Sequence, residues 1–399
     1  MTLNLAGMRP ACTILFITHS SGLYGAERCL LDLVSGLPKR IRPVVMAPGA
    51  GPLVDKLKEK EIEICLIPFR GWWHRKYRIK CVQRIFLNMV ALGRMTAEFR
   101  RREINLVYSN SLYSPVGAIF ARMRSLPHIW HAHELAALHD GMKFDFGEKY
   151  AMEFVDKRSG AVICNSHAHQ NNLSEWIAAT KIKMVYNGIA PEDSASVREG
   201  FRKRVRRNET TILNIGSITE NKGQMDAILA LQELLKNGQK ARLILLGDGD
   251  SEYGKYLKKI AGGLPCRESV KWEGFQENTQ KYLQEADVLI VCSKLETFGR
   301  SAVEAMAAGC PVVASKTGVI PEIIEDGVNG FTYHHGDYRE LSAKIRLLMQ
   351  DEELRSRVSE NAYETYLRNF QLRDYVHHVV EIIDETRQAR CRETLGPCA

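Results

Sequence analysis

Residues 294–309, KLETFGRSAVEAMAAG, decide the fold of this chain. Residues 288–292 before this stretch are apolar and rich in β-branched side chains, as is typical of a buried parallel strand. Residues 301–308 are good helix formers, and Gly309 and Pro311 predict where that helix ends. The sequence therefore predicts a strand, a loop and a helix, which together form the repeating unit of a doubly wound α/β domain.

Two glutamates flank this loop. Glu296 follows the carboxyl end of the predicted strand, and Glu304 lies in the first turns of the predicted helix. Open α/β sheets bind ligands at that edge, and carboxylates there are good acceptors for sugar hydroxyls. Phe298 and Gly299 predict a wall and a close backbone approach to the ligand. The alternative is a pair of ordinary helix-end glutamates, but the flanking strand and the Gly-Pro stop favour a binding site.

The same residues carry a resemblance to a known family. The pattern E-T-F-G-x-x-x-x-E-A-M-A-x-G-x-P-V-V-A at residues 296–314, with Glu-Ile-Ile-x-x-G-x-x-G at residues 322–330, resembles the donor-site signature of the retaining glycosyltransferases of family four. The resemblance implies the GT-B fold, in which two Rossmann-like doubly wound domains face a central cleft. It implies an acceptor-side domain at residues 1–190, with a C-terminal helix at about 372–399 packed back on it, and a nucleotide-sugar donor domain at residues 191–371.

Length and composition agree with two α/β domains. A chain of 399 residues is long for one core. Its apolar runs all fall short of the roughly 18 residues that a membrane-spanning helix needs, and the N-terminal run predicts a first strand and not a signal peptide. The ten cysteines are scattered without a C-x-x-C pair, which is typical of reduced thiols in a cytoplasm. We therefore expect a cytoplasmic protein.

Several histidines occur in pairs that could be offered as metal ligands. They are His131-x-His133, His167-x-His169 and the pairs that begin at His334 and His377. None has a cysteine or carboxylate partner at matching spacing, so the sequence predicts no metal site. The resemblance also implies a metal-independent enzyme.

Residues 70–102 contain ten Lys or Arg and one acid, Glu98, which gives this segment a charge of +9 in a chain of formal charge +8. Mixed aromatic and basic residues suit an anionic membrane surface, where each cation contributes about 1 kcal/mol. The same basic residues would also attract nucleic acid. The alternative without a binding function is a solvated helix face. We expect a membrane partner, no nucleic acid, and a peripheral location on the inner face of the membrane. The predicted membrane-facing residues are Trp72, Trp73, Arg75, Lys76 and Arg78.

In the first domain, residues 13–18 predict a strand that leads into a loop with Gly22 and Gly25. This loop resembles the Gly-Gly-Ala-Glu-Arg opening of the same transferases, with Tyr24 where the first glycine of the pair often stands. His133 and the acid after it match the family's strand-end histidine. The resemblance implies that His133 borders the reaction centre, whereas a lone core histidine is the alternative.

In the second domain, the predicted strand at residues 211–216 leads through a loop to a helix, which is a phosphate-binding layout with Lys222 as the cation. The family usually has arginine directly after Gly216, where this chain has Ser217. Either Lys222 acts alone or Arg300 compensates. Gly274 belongs to the strand and loop that are implied to receive the nucleotide base, and the polar residues 189–208 predict the linker.

The resemblance implies transfer of a sugar, with retention, from a UDP- or GDP-linked nucleotide-diphosphate sugar to a hydroxyl of a lipid-linked or saccharide acceptor, as in polysaccharide or glycolipid assembly. No cofactor is implied. Glu296 would hold hydroxyls of the donor sugar and Glu304 those of the ribose. Alternatives are a catalytically silent sugar-nucleotide binder and a GT-B epimerase or phosphorylase. The implied catalytic residues are Glu296, His133 and Lys222, and the implied donor-binding residues are Gly25, Gly216, Ser217, Lys222, Gly274, Phe298, Gly299, Arg300 and Glu304.

Overall fold

The computed structural model describes residues 12–74, 81–134, 143–190 and 209–395. The chain divides into two compact units, here called unit 1 (Met1–Gly188 with Leu372–Ala399) and unit 2 (Ile189–Gln371). Residues 191–208 of the predicted linker lie outside the described residues, as do Arg75, Lys76 and Arg78. Among the described residues, no helix has both the length and the apolar character required to cross a membrane.

The secondary structure alternates between strands and helices throughout both units. The strands are β1 (Cys12–Thr18), β2 (Ile41–Ala47), β3 (Glu63–Leu66), β4 (Trp73–His74), β5 (Leu106–Asn110), β6 (His128–His131), β7 (Lys143–Phe144), β8 (Ala161–Cys164), β9 (Ile182–Met184), β10 (Thr210–Ile215), β11 (Ala241–Leu246), β12 (Val270–Gly274), β13 (Val288–Val291), β14 (Val312–Ser315) and β15 (Phe331–Tyr333). The α-helices are α1 (Gly25–Gly36), α2 (Pro52–Glu59), α3 (Cys81–Glu98), α4 (Val116–Met123), α5 (Glu148–Arg158), α6 (His167–Ser174), α7 (Gln224–Lys236), α8 (Glu252–Gly262), α9 (Gln280–Glu285), α10 (Arg300–Ala307), α11 (Ile320–Ile323), α12 (Tyr338–Gln350), α13 (Glu352–Asn369) and α14 (Leu372–Leu395).

Unit 1 is built on a seven-stranded sheet in the order β3-β2-β1-β5-β6-β8-β9, whose neighbouring strands are all parallel. The apolar runs of β1 and β5 are buried on both faces, as a doubly covered parallel sheet requires. Helix α14 also belongs to this core, because Tyr375, Val379 and Ile383 pack in the same cluster as Leu30 and Leu33 of α1.

Unit 2 is built on a six-stranded parallel sheet in the order β12-β11-β10-β13-β14-β15. The predicted strand and helix around residues 294–309 are β13 and α10, which lie within one residue of the predicted ends. Two doubly wound parallel sheets confirm the predicted fold class.

A short antiparallel ribbon in unit 1 corrects one prediction. Strands β4 and β7 pair Trp73 with Phe144, and both tryptophans are buried, with 5% of Trp72 and 6% of Trp73 exposed. The Trp72 Nε1–H donates to the Leu112 carbonyl at 2.7 Å, and the Trp73 ring packs against Phe144. Buried aromatic rings with a partner for the indole N–H are stable core components. The prediction that Trp72 and Trp73 face a membrane is therefore wrong.

Candidate functional site

The candidate donor site lies at the carboxyl edge of the unit 2 sheet. Strands β10 and β13 are neighbours, and the chain proceeds from β10 to one side of the sheet and from β13 to the other. Such a reversal leaves a crevice at the carboxyl ends of the two strands, where ligands of open α/β sheets bind. The loop after β10 carries Gly216, Ser217 and Lys222, and the loop after β13 carries Glu296 and Gly299.

Lys222 and Glu296 meet at this edge. The Lys222 Nζ lies 2.7 Å from Glu296 Oε2, the Ser293 hydroxyl donates to the same oxygen at 2.9 Å, and the Gly299 N–H donates to Oε1 at 3.3 Å. Burial by itself would raise the pKa of Glu296. The charge of Lys222 and these hydrogen bonds outweigh burial, so the pKa lies below its ordinary value. Glu296 is therefore ionised at neutral pH, and its carboxylate is held in place by these three contacts.

The position of Lys222 depends on a close backbone approach between the two loops. Gly223, the next residue, has φ +63°, and a Cβ there would lie 2.0 Å from the Cys292 carbonyl oxygen. The Lys294 N–H donates to the Asn221 carbonyl at 2.7 Å, and the Asn221 side chain donates to the Leu295 carbonyl at 3.2 Å. The loop after β10 is thus attached to the loop after β13, which preorganises the cation beside the carboxylate.

A second ion pair lies on helix α10. The Arg300 Nε donates to Glu304 Oε1 at 2.8 Å, and both side chains are mostly buried, with 18% and 16% exposed. Each of the two predicted donor-site cations is thus paired with a predicted donor-site carboxylate. Whether Lys222 acts alone or Arg300 compensates for Ser217 stays an open prediction.

The other predicted donor-binding residues of unit 2 occupy different surroundings. The Ser217 carbonyl accepts a hydrogen bond from the Gln224 side chain at 3.0 Å, and a Cβ at Gly216 would lie 3.5 Å from the Lys222 side chain. Gly274 ends β12, and its carbonyl accepts from the Gly247 N–H at 2.8 Å. The Phe298 ring is buried, with its centroid 6.2 Å from that of Phe370. Phe298 therefore packs inside unit 2, and its predicted role as a wall of the ligand site stays a prediction.

Three polar residues that were not predicted hold the unit 2 site together: Ser293, Asn221 and Gln224. Ser293 bonds Glu296, Asn221 joins the two loops, and Gln224 is fully buried beneath the Gly216–Ser217 backbone. The sequence contains one indication of them. Ser293 comes directly after the predicted strand at residues 288–292, and Asn221 lies in the predicted loop after residues 211–216.

In unit 1, Asn110 brings together two predicted site residues, Gly25 and His133. The Asn110 Nδ2 donates to the carbonyl of Ala26, the residue after Gly25, at 2.9 Å, and its Oδ1 lies 3.0 Å from His133 Nε2. Because that oxygen can only accept, His133 Nε2 carries the proton and Nδ1 is the basic nitrogen of the neutral ring. A Cβ at Gly25 would meet open space, so the first turn of α1 leaves room there.

Glu27, in the first turn of α1, is a further carboxylate near Gly25 that was not among the predicted site residues. It is 1% exposed, with Oε1 3.4 Å from His19 Nε2 and Oε2 accepting from the Tyr24 N–H at 3.2 Å. Burial raises the pKa of Glu27 above its ordinary value, although His19 acts in the opposite direction. Glu27 therefore holds its proton more strongly than an exposed glutamate.

Three potential metal ligands also come together in unit 1. Ligand atoms of Cys29, His131 and His133 lie within 4.8 Å of one another. The Cys29 Sγ is 3.2 Å from the Tyr375 hydroxyl, and His131 Nδ1 is 2.8 Å from the Tyr108 hydroxyl. Sequence spacing does not reveal Cys29 as a partner of His131 and His133, because the fold brings it to them from a distant helix, α1. The prediction of no metal site stays a prediction.

Comparisons with known proteins agree with the two-unit architecture. The model of Glycosyltransferase Family 4 matches residues 24–193, and that of Glycosyl transferases group 1 matches residues 197–365. An uncharacterized glycosyltransferase of Methanocaldococcus jannaschii is 27% identical over 354 residues, which cover 84% of this chain and 92% of that protein. The alpha-monoglucosyldiacylglycerol synthase of Streptococcus pneumoniae is 27% identical over 238 residues, 57% of this chain and 53% of that protein.

Among solved structures, HepE of Anabaena in complex with UDP-glucose superposes with a TM-score of 0.77 at 24% identity and covers 94% of this chain and 99% of that chain. This likeness shows a common fold. The two family models fall on successive parts of the chain, one on each side of residues 194–196. The chain therefore belongs to the family 4, group 1 glycosyltransferases and has their GT-B fold.

Proposed function

We propose that the protein transfers a sugar from a nucleotide-diphosphate sugar, UDP- or GDP-linked, to a hydroxyl acceptor. The observation that carries this proposal is the Lys222–Glu296 pair at the switch point of the unit 2 sheet. Its cation suits the diphosphate and its carboxylate suits sugar hydroxyls. The UDP-glucose complex of HepE, a protein of the same fold, supports a nucleotide-sugar donor.

Binding of the donor would rearrange both ion pairs. Lys222 would exchange part of its contact with Glu296 for the diphosphate, so that Glu296 becomes available to the hydroxyls of the donor sugar. In the same way, Arg300 would exchange part of its contact with Glu304 for the diphosphate, and Glu304 would become available to the ribose hydroxyls. Lys222 and the N-terminus of α7 would stabilise the leaving nucleotide without a metal ion. We therefore expect full activity in the presence of a chelator.

We propose that the transfer retains the configuration of the anomeric carbon. A double displacement would need a carboxylate nucleophile close to an acid partner, at about 5 Å. Glu296 is committed instead to an ion pair and two further hydrogen bonds, which suits a binding role. A same-face displacement in which the leaving diphosphate assists the incoming hydroxyl is the mechanism that we favour.

Incubation of the purified protein with UDP- and GDP-sugars and candidate acceptors, followed by NMR of the product, tests donor, transfer and retention together. We expect a product with the anomeric configuration of the donor, and loss of at least about tenfold in turnover for Glu296→Gln. Release of nucleoside diphosphate without transfer would favour an epimerase or phosphorylase. Binding without turnover would favour a silent sugar-nucleotide binder.

We further propose a lipid-linked or saccharide acceptor and contact with an anionic membrane. Helix α3 exposes an apolar stripe at helical spacing, with 76% of Val82, 66% of Phe86 and 64% of Met89 accessible. The segment that contains α3 carries the charge of +9, and Arg94 and Arg101 are exposed. An apolar face bordered by cations complements anionic headgroups. The name of the S. pneumoniae relative, which includes a diacylglycerol, supports a lipid acceptor.

Flotation on vesicles of phosphatidylglycerol and of phosphatidylcholine tests the membrane proposal. We expect binding to the anionic vesicles only, reduced several-fold in Phe86→Ser/Met89→Ser. Met123→Ser/Leu347→Ser, which removes two other exposed apolar side chains, is the matched control and should float like the wild type. Equal flotation of the two double variants would contradict a role for α3.

A further inference from the structure

Unit 1 contains a pocket of about 550 Å³ at the edge of the sheet where β6 and β8 begin. His128, the first residue of β6, and Gly160, which precedes β8, line it, together with the last turns of α4 and α5 and the second half of α14. His133 follows the opposite, carboxyl end of β6. The pocket is therefore separate from the proposed site around Asn110 and His133.

The charge of the lining has one sign. Five cations from four parts of the chain converge on the pocket: Arg122, Lys157, Arg158, Lys181 and Arg390. Among the described residues that line it there is no aspartate or glutamate. His128 adds no charge, because burial lowers the pKa of its imidazole to about 3. A concave surface lined by cations alone attracts anions.

Neighbouring carboxylates offset only part of this charge. Lys157 Nζ lies 3.3 Å from Glu153 Oε2, and Lys181 Nζ lies 3.3 Å from Asp156 Oδ1. Arg122 and Arg158 have no ion pair with any described residue, and both are exposed. Two guanidinium groups thus remain available, and guanidinium matches phosphate oxygens in a bidentate geometry.

Helix ends account for some of these cations but not for their convergence. Arg122 lies in the last turn of α4, and Lys157 and Arg158 lie in the last turn of α5, where cations stabilise the helix dipole. Lys181 precedes β9, but its Nζ donates to the Asp156 carbonyl in the last turn of α5, so it also serves that helix end. Arg390 lies on α14 and serves neither of these helix ends.

The rest of the lining is small and partly apolar. Ala118, Ala121 and Ala389 leave the space free, and Leu126 and Pro127 provide apolar surface. At Gly160 a Cβ would lie 2.6 Å from the Thr386 methyl group, so α14 closes that end of the pocket. A bare inorganic ion would leave much of such a volume to water.

We propose that this pocket binds a phosphate ester whose organic part is compact and partly apolar, with Arg122 and Arg158 as its principal phosphate ligands. The same chemistry occurs in a soluble phosphate ester and in a phospholipid headgroup. The bound ester links α4 and α5 to α14 and therefore stabilises the packing of α14 on the rest of unit 1. The proposal is independent of the donor site.

Hydrogen–deuterium exchange of the full chain with inorganic pyrophosphate as the probe tests this site by location. With the probe at about ten times its dissociation constant and ionic strength held constant, amides at residues 157–161 and 384–390 should exchange about tenfold more slowly. Binding at Lys222 would protect unit 2 peptides and is read separately. The variant Arg122→Gln/Arg158→Gln should lose the unit 1 protection. Lys39→Gln/Lys149→Gln, two exposed lysines of unit 1, carries the same charge change and should keep it.

Vesicles of phosphatidylglycerol distinguish the two sources. If pyrophosphate protects the unit 1 residues, and Arg122→Gln/Arg158→Gln floats on the vesicles as well as Lys39→Gln/Lys149→Gln does, the ligand is a soluble ester. Weaker flotation of Arg122→Gln/Arg158→Gln, without protection by pyrophosphate, supports a headgroup. If the wild type shows no protection at these residues and both variants float equally, the cations only stabilise helix ends and the proposal is wrong. Hydrogen–deuterium exchange of the wild type with and without pyrophosphate tests the site even if a variant folds poorly.

Discussion

At the scale of single residues, the Lys222–Glu296 ion pair contributes to stability as well as to binding. Glu296 is 11% exposed at its side chain, so removal of Lys222 leaves a nearly buried carboxylate without its main partner. We expect Lys222→Met to destabilise unit 2 by about 1–3 kcal/mol, and Glu296→Gln to recover part of that loss in the double variant. A double-mutant cycle by urea unfolding measures the coupling, and strictly additive effects would contradict it.

The sign of the pH dependence at Glu296 follows from its lowered pKa. A carboxyl group with a lower pKa in the folded state adds stability above its unfolded pKa of about 4.3, and that stability is lost as the pH falls through the folded value. The Lys222→Met variant should therefore differ from the wild type at neutral pH and converge with it in acid.

A second residue-scale prediction concerns the tautomer of His133. Asn110→Ala removes the acceptor that holds the proton on Nε2, so the basic nitrogen is no longer fixed. We expect kcat for sugar transfer to fall about tenfold or more, with little change in KM for the donor. Asn171→Ala, at an exposed site on α6, is the control. A change in donor KM alone would assign Asn110 to binding instead.

At the scale of elements, the contact between the loops after β10 and β13 can be separated from backbone strain. Gly223 and Gly238 both have positive φ, of +63° and +75°, but only a Cβ at Gly223 would meet a neighbour within 4 Å. We expect Gly238→Ala to cost about 1 kcal/mol and Gly223→Ala about 2 kcal/mol more. Thermal unfolding measures both. Equal losses would show that the approach to Cys292 is adaptable.

Strand β6 and helix α6 should make unit 1 sensitive to acid. His128 and His131, in β6, and His169, in α6, are buried, and burial lowers their pKa values from 6.5 to about 3, 3 and 4. Because the unfolded chain binds these protons first, stability is complete above pH 6.5 and falls below it. At about pH 5.5 each histidine should cost about 1.4 kcal/mol. Denaturant unfolding of unit 1 above pH 6.5 and again at about pH 5.5 checks this. An unfolding midpoint that does not change with pH would contradict it.

The elements were largely predictable, whereas their side-chain partners were not. Apolar runs and glycine or proline stops fixed β13 and α10 because these are local properties of the chain. The Lys222–Glu296 pair joins residues 74 apart, and the Trp72 hydrogen bond to Leu112 spans 40 residues. The mixture of aromatic and basic residues around Trp72 is typical of a segment that binds a membrane surface. The burial of Trp72 and Trp73, however, depends on β7, which pairs with β4 from a distant part of the chain. The exposed stripe of α3 lies in the same basic segment and was overlooked.

At the scale of the whole molecule, the chain repeats one arrangement twice. Each unit has a parallel sheet with a switch point, between β1 and β5 in unit 1 and between β10 and β13 in unit 2. Polar residues gather at the carboxyl edge in both: Asn110 and His133 in unit 1, and Lys222 and Glu296 in unit 2. The family resemblance anticipated this division, because its motifs occur at loops after strands in both halves.

The most direct test of the donor site is the affinity of UDP, GDP and their sugars for the intact protein, measured by isothermal titration calorimetry. The variants are Lys222→Met, Glu304→Gln and the control Lys271→Met, which changes an exposed lysine of β12. We predict that one nucleotide series binds, that Lys222→Met weakens the diphosphate at least about tenfold, and that Glu304→Gln weakens binding while Lys271→Met does not. Equal affinities in all four proteins, or binding of no nucleotide by the wild type, would contradict the account.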